Sequence, residues 1–130
     1  IQRRVKVLLE VHVAKEETKS GFTPEELLQL IANLSTNDLY PWIEICGVMG
    51  MATNTDDQDE WRRCFRELHS LASHLITSSP ITYSEASNSS PCERPIISMG
   101  MSDDYLVAIE EGSTMVRIGS TIFGIRASNV

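Results

Sequence analysis

Four apolar, β-branched segments separated by amphipathic stretches constrain the fold of this chain more than anything else in it. Val5 to Val13 (VKVLLEVHV), Ile43 to Met51, Ile96 to Met101 and Met115 to Phe123 each read as a strand. The first lacks a clean polar alternation, as expected of a strand covered on both faces. Between the strands lie helix signals. Thr23-Pro24-Glu25-Glu26 joins an N-cap threonine, a proline at the first helical position and a glutamate that completes a capping box. Leu27, Leu30, Ile31 and Leu34 follow at helical spacing, which predicts a helix ending near Asn37. Asp57 to Glu60 opens a second helix with acids at the positive end of its dipole. Trp61, Cys64, Phe65, Leu68, Leu71, Ala72 and Leu75 form its apolar stripe, to about Ile76. A third, short helix spans Asp104 to Glu111 and is closed by Gly112. The order βαβαβαβ predicts an α/β fold with a parallel sheet and right-handed crossovers. Two architectures fit: a small doubly wound sheet, or half of a (β/α)8 barrel, whose usual length of about 250 residues is roughly twice this chain. An isolated half barrel would leave two strand edges unpaired and be prone to associate.

The chain of 130 residues predicts a single domain. Its net charge of −7, with no basic cluster longer than Arg3-Arg4 or Arg62-Arg63, argues against nucleic-acid or membrane-surface partners. No apolar run approaches a membrane span. Three scattered cysteines, Cys46, Cys64 and Cys92, match neither a disulfide framework nor a zinc pattern, which predicts a reducing cytoplasm. Thr77 to Arg94, rich in Ser, Pro, Thr and Asn, runs from a helix to a strand and therefore belongs to the N-terminal end of the sheet, away from the ligand side. The chain begins at Ile1 rather than Met.

On the ligand side, at the C-terminal strand ends, three loops converge: Ala14 to Phe22, Ala52 to Asp56 and Ser102 to Asp104. Gly119-Ser120 joins them from the fourth strand. Hydroxyls and backbone N–H groups at such positions are what a phosphate ester binds, so Ser102, Gly119 and Ser120 form a candidate phosphate site, with Arg117 two residues before Gly119. The alternative is that Ser102 caps the short helix and Gly119 permits close packing. Other constellations are weaker. His69 and His74 are five apart, the wrong offset for two ligands on one helix face, and His12 reads as a packed strand histidine. No nucleophile elbow is present. Met49, Met51, Met99 and Met101 read as core.

Ser98-Met99-Gly100-Met101-Ser102, then Asp104, Gly112-Ser113-Thr114, Val116-Arg117-Ile118-Gly119 and Ile122-Phe123-Gly124 with Arg126, resembles the pyridoxal phosphate homeostasis family, the YggS-like proteins. Glu17-Thr18-Lys19-Ser20-Gly21 is similar to that family's loop after its fifth strand, and Gly47-Val48-Met49 to its sixth. The resemblance covers nearly the whole chain. It implies a (β/α)8 TIM barrel of the alanine racemase N-terminal-domain type, of which residues 1–130 would supply the last four strands. It also implies pyridoxal 5′-phosphate (PLP) as cofactor, with Ser102, Gly119 and Ser120 at its phosphate and Arg117 at its pyridine nitrogen. Lys19 and Met49 are secondary candidates.

The family's Schiff-base lysine lies in an N-terminal half that nothing here matches. None of Lys6, Lys15 and Lys19 occupies its position, so the resemblance implies an incomplete barrel domain. The function implied is PLP binding in intracellular vitamin B6 homeostasis, without catalysis and with no catalytic residue assigned. A full-length protein is expected to be monomeric and a truncated one to associate. The alternatives are a PLP-dependent racemase-like enzyme and a stand-alone phosphate-binding module.

Overall fold

Ile43 to Met49 is a run of apolar and small residues with one charge, and it lies in the middle of a parallel sheet. The structure, a computed structural model, describes residues 3, 5–34, 40–78 and 95–126. Its elements are β1 (Val5–Glu10), α1 (Pro24–Leu34), β2 (Ile43–Met49), α2 (Gln58–Ser78), β3 (Ile96–Ser98), α3 (Tyr105–Glu110) and α4 (Ser120–Phe123). The sheet runs β1-β2-β3, with both pairs parallel.

Between β1 and β2 the register slips by one residue: Val7 faces Ile45 and Leu8 faces Gly47, so the register steps over Cys46. The slip lets Ile45 and Val48, three apart, both enter the core under the helices. Gly47 then meets Ile96 so closely that a Cβ on it would lie 1.9 Å from the Ile96 carbonyl oxygen. This strand contact admits only glycine.

The helices form where the pattern predicts them. The capping box closes, with the Glu26 N–H donating to Thr23 Oγ1 (3.2 Å) and the Thr23 N–H to Glu26 Oε2 (2.9 Å). Cys64, Phe65, Leu68, Leu71, Ala72 and Leu75 of α2 are buried with Val11, Leu27, Ile31, Ile97 and Met99 in one core. The predicted helix end near Asn37 and the Thr77–Arg94 connection beyond Ser78 lie outside the described residues.

The winding decides between the two architectures. Strand order follows chain order without reversal, and α2 packs against both α1 and α3, so the helices form one layer on one side of the sheet. A doubly wound sheet reverses its order and carries helices on both faces. Sequential winding is that of a (β/α) barrel segment.

The fourth strand expected over Met115 to Phe123 does not form as a strand. Pairing is limited to the parallel bridge between Ser98 and Met115, extended by the Arg117 N–H to the Gly100 carbonyl (2.9 Å). Beyond that bond the neighbouring chain has already turned away at Gly100, whose φ is +97°. With no strand beside it, Ser120 to Phe123 closes a helical turn on the Gly119 carbonyl instead. β-Propensity in Thr121-Ile122-Phe123 is overridden by the lack of a partner. Among the described residues, no helix is long and apolar enough to cross a membrane.

Candidate functional site

The C-terminal ends of β2 and β3 and the returning segment 115–120 build the site. Arg117 is its centre. One guanidinium nitrogen donates to the Ser98 carbonyl (3.0 Å) and to Ser98 Oγ (2.7 Å), and the other to the Gly50 carbonyl (3.2 Å). The side chain therefore spans both strand ends. Among the described residues no carboxylate lies within ion-pair distance of it, so a partly buried cation is held by neutral acceptors alone. Burial pulls its pKa below the ordinary guanidinium value, while the more distant Asp104 and Glu10 act the other way.

Ser102, Gly119 and Ser120 come together as the sequence predicts. Ser102 Oγ accepts the Gly119 N–H (3.4 Å) and the Thr121 N–H (3.2 Å). A hydroxyl that accepts two amide protons keeps its own proton to donate, and an anion is the natural recipient. At Gly119 φ is −126°, and a Cβ would have nothing within 4 Å, so the space above this residue is open. The capping alternative for Ser102 fails: α3 has no side-chain cap, and it is Asp104 Oδ1 that accepts the Met101 N–H (2.7 Å).

Lys19 and Met49 lie on other edges of the site. Lys19 Nζ donates to the Ala52 carbonyl (2.8 Å) and lies 3.6 Å from Glu16 Oε2. It lines a cleft of about 540 Å³ with Met51, Thr53, Asn54, Trp61, Asp103 and other residues of the second and third loops. Met49 pairs with Glu10 on one side and Ser98 on the other, and so shares the face from which Ser98 reaches Arg117. His12 is a packed histidine, its Nε2 bonded to the Ala14 carbonyl at 2.9 Å.

Three features escape the sequence reading. Ser98 is buried and anchors Arg117; its signal is a lone hydroxyl inside the apolar run IISMGM. Glu60 reads as a first-turn acid but is buried, and it stands four residues before Cys64 on the same apolar stripe. It accepts from Arg63 (2.7 and 2.9 Å) and from the Thr53 hydroxyl (2.7 Å), with Lys15 Nζ at 3.3 Å. The Arg63 bond first, then Thr53 and Lys15, hold its carboxyl far below the usual range, against burial. Glu16 likewise ties loop to loop, accepting the Asn54 N–H at 2.6 Å. That bond is the largest of the causes that lower its pKa. Together these contacts join the first two ligand-side loops into one wall.

Residues 1–127 match the family described as alanine racemase, N-terminal domain. The chain is 34% identical over 125 residues to the pyridoxal phosphate homeostasis protein of Pasteurella multocida, covering 96% of this chain and 48% of that protein. It is 38% identical over 120 residues to the protein of the same name from Aquifex aeolicus, covering 92% and 46%. The structure of PipY of Synechococcus elongatus with PLP bound superposes with a TM-score of 0.68 at 28% identity, covering 94% of this chain and 50% of that one. The chain thus spans about half the length of the curated relatives it matches.

Proposed function

We propose that this chain, which belongs to the alanine racemase N-terminal-domain family, binds PLP and serves intracellular vitamin B6 homeostasis without catalysing a reaction. In this reading it supplies the phosphate- and nitrogen-facing half of a PLP-binding barrel in the cytoplasm. The Ser102 hydroxyl and the backbone of Gly119 and Ser120 hold the phosphate, and Arg117 faces the pyridine nitrogen. Lys19 and Met49 border the site. Buried thiols at Cys46 and Cys64 suit a reducing compartment.

One observation carries the reading: a partly buried guanidinium, fixed by three neutral acceptors, on the same returning segment as a serine-glycine cluster with open space above it. The fit to PLP is chemical. A phosphate needs donors, and Ser102 has one to give. A ring nitrogen acting as an acceptor needs a donor that never releases its proton, and arginine is that donor. PLP when bound supplies an aldehyde and a ring that can draw electrons from an attached group. A cation at the ring nitrogen disfavours its protonation and so weakens that electron demand, which suits holding and handing over the cofactor. Relatives named for PLP homeostasis, and a PLP-bound neighbour, support the same reading.

The test is equilibrium dialysis of the purified protein against PLP and against pyridoxal, which lacks the phosphate. PLP should bind at least about tenfold more tightly, a difference of about 1.4 kcal/mol. Arg117→Glu and Gly119→Val should each lower PLP affinity by a similar factor. The glycine variant is informative because its side chain enters empty space at negative φ, so its cost falls on the ligand rather than on the fold. Unchanged affinity in both variants would refute the residue assignment. Racemisation of an amino acid above a protein-free control would refute the non-catalytic reading.

A further inference from the structure

We propose that Ser98 is the positioning residue of this site, setting the direction in which Arg117 presents its guanidinium to the cofactor ring. The inference rests on the PLP reading and adds to it a residue that acts through Arg117.

Ser98 is the last residue of β3 and is 1% exposed, in a strand whose other residues are isoleucines. Its backbone and its side chain converge on the same nitrogen of Arg117, at 3.0 and 2.7 Å. The carbonyl is already shared: it also accepts the Gly50 N–H at 3.0 Å. The hydroxyl is therefore the acceptor that Arg117 does not divide with the sheet, and the shorter of the two.

A guanidinium without a carboxylate partner has its rotamer set by such neutral contacts, because no ion pair overrides them. Gly50 supplies a contact to the second nitrogen at 3.2 Å, which leaves rotation about the Gly50–Ser98 direction to be limited by the hydroxyl. Removing Oγ leaves the charge in place and frees its aim. A buried serine that merely satisfied its own hydrogen bonds would have no effect on a bound ring.

The experiment compares Ser98→Ala, Arg117→Met and the double variant in PLP dialysis. It also follows the pH titration of the bound cofactor's absorption band, and far-UV circular dichroism checks folding. Wild type should bind. Ser98→Ala should weaken PLP by about threefold to tenfold, the range for one ordinary hydrogen bond, because the charge itself stays in place with its two carbonyl acceptors. Its titration should shift toward higher pH, because a wandering cation suppresses ring-nitrogen protonation less. In the Arg117→Met background the same substitution should change neither quantity, since Ser98 acts only through Arg117.

Ser98→Cys, nearly isosteric and a weaker acceptor, should fall between wild type and Ser98→Ala and covers the case in which the alanine variant misfolds. If Ser98→Ala and Ser98→Cys bind and titrate like wild type while Arg117→Met is impaired, the inference on Ser98 falls and the PLP reading stands. Additive losses in the double variant would equally overturn it. If wild type binds no PLP, both fall together.

Discussion

Gly47 offers the sharpest test of how the sheet is built. A Cβ placed on it would lie 1.9 Å from the Ile96 oxygen, 2.6 Å from its nitrogen and 2.7 Å from its carbonyl carbon. All three are backbone atoms of the paired strand, so no side chain can turn aside to make room. Contacts below 3.0 Å are essentially never seen for a Cβ, so Gly47→Ala must move β2 and β3 apart by at least about 1.1 Å. That movement strains or breaks the ladder at its first pair, Gly47 with Ile96, in a strand of only three residues. Overpacking of this kind costs about 1–3 kcal/mol, and each backbone hydrogen bond lost adds about 1 kcal/mol. We expect a total of about 3 kcal/mol, equivalent to roughly 10 °C in melting temperature for a domain of this size. The assay is urea and thermal unfolding followed by circular dichroism. Gly119→Ala is the control, since its Cβ would meet nothing within 4 Å and it should stay within about 0.5 kcal/mol of wild type. A Gly47→Ala protein as stable as that control would refute the argument that strand separation is fixed by this glycine.

Other perturbations follow from local contacts. Thr23→Ala removes one of the two capping-box bonds of α1 and should lower stability by about 1 kcal/mol in urea unfolding, with Thr23→Ser retaining most of it. Glu60 has a folded-state pKa depressed below its unfolded value, so its contribution is fully present above the unfolded pKa of about 4.5 and is lost as pH falls below it. Glu60→Gln should therefore be less stable than wild type at neutral pH, and the gap should narrow steadily in acid. A gap that stays constant from pH 7 to pH 3 would show that the carboxylate's charge is not what matters.

Most of the fold is legible in the sequence because the patterns are local and strong. Thr23-Pro24-Glu25-Glu26 fixes the start of α1, and the stripe from Trp61 to Leu75 fixes the face of α2. Strand ends are less legible. β2 stops at Met49 and β3 at Ser98, each short of its apolar run, because pairing ends where the neighbouring chain turns away. Ser120 to Phe123 is the clearest case: its residues favour a strand, and only the missing neighbour makes it helical. The cluster of Ser102, Gly119 and Ser120 can be read from strand ends and small residues, since topology alone brings them together. Ser98 and Glu60 could not be read so, because their roles depend on partners 19 residues away at Arg117 and 7 away at Thr53.

These two kinds of information meet in one line of residues. Gly47 lets β2 approach β3 and so sets the distance between the two strand ends. Gly50 and Ser98 present their carbonyls across that gap, and Arg117 bridges them with opposite nitrogens of one rigid, planar group. A fork of fixed width can satisfy both acceptors only over a narrow range of separations. Widening the strands at Gly47 must therefore either break one of the Arg117 bonds or pull the segment carrying Gly119 out of place. Gly47→Ala should thus weaken PLP binding even at temperatures where the protein remains folded, in proportion to the change at Arg117 rather than to the loss of stability. A stabilising co-solvent such as sucrose, which restores folding without restoring the strand separation, should recover the melting temperature and leave the affinity low. Full recovery of both would mean that the sheet and the site are coupled only through global stability.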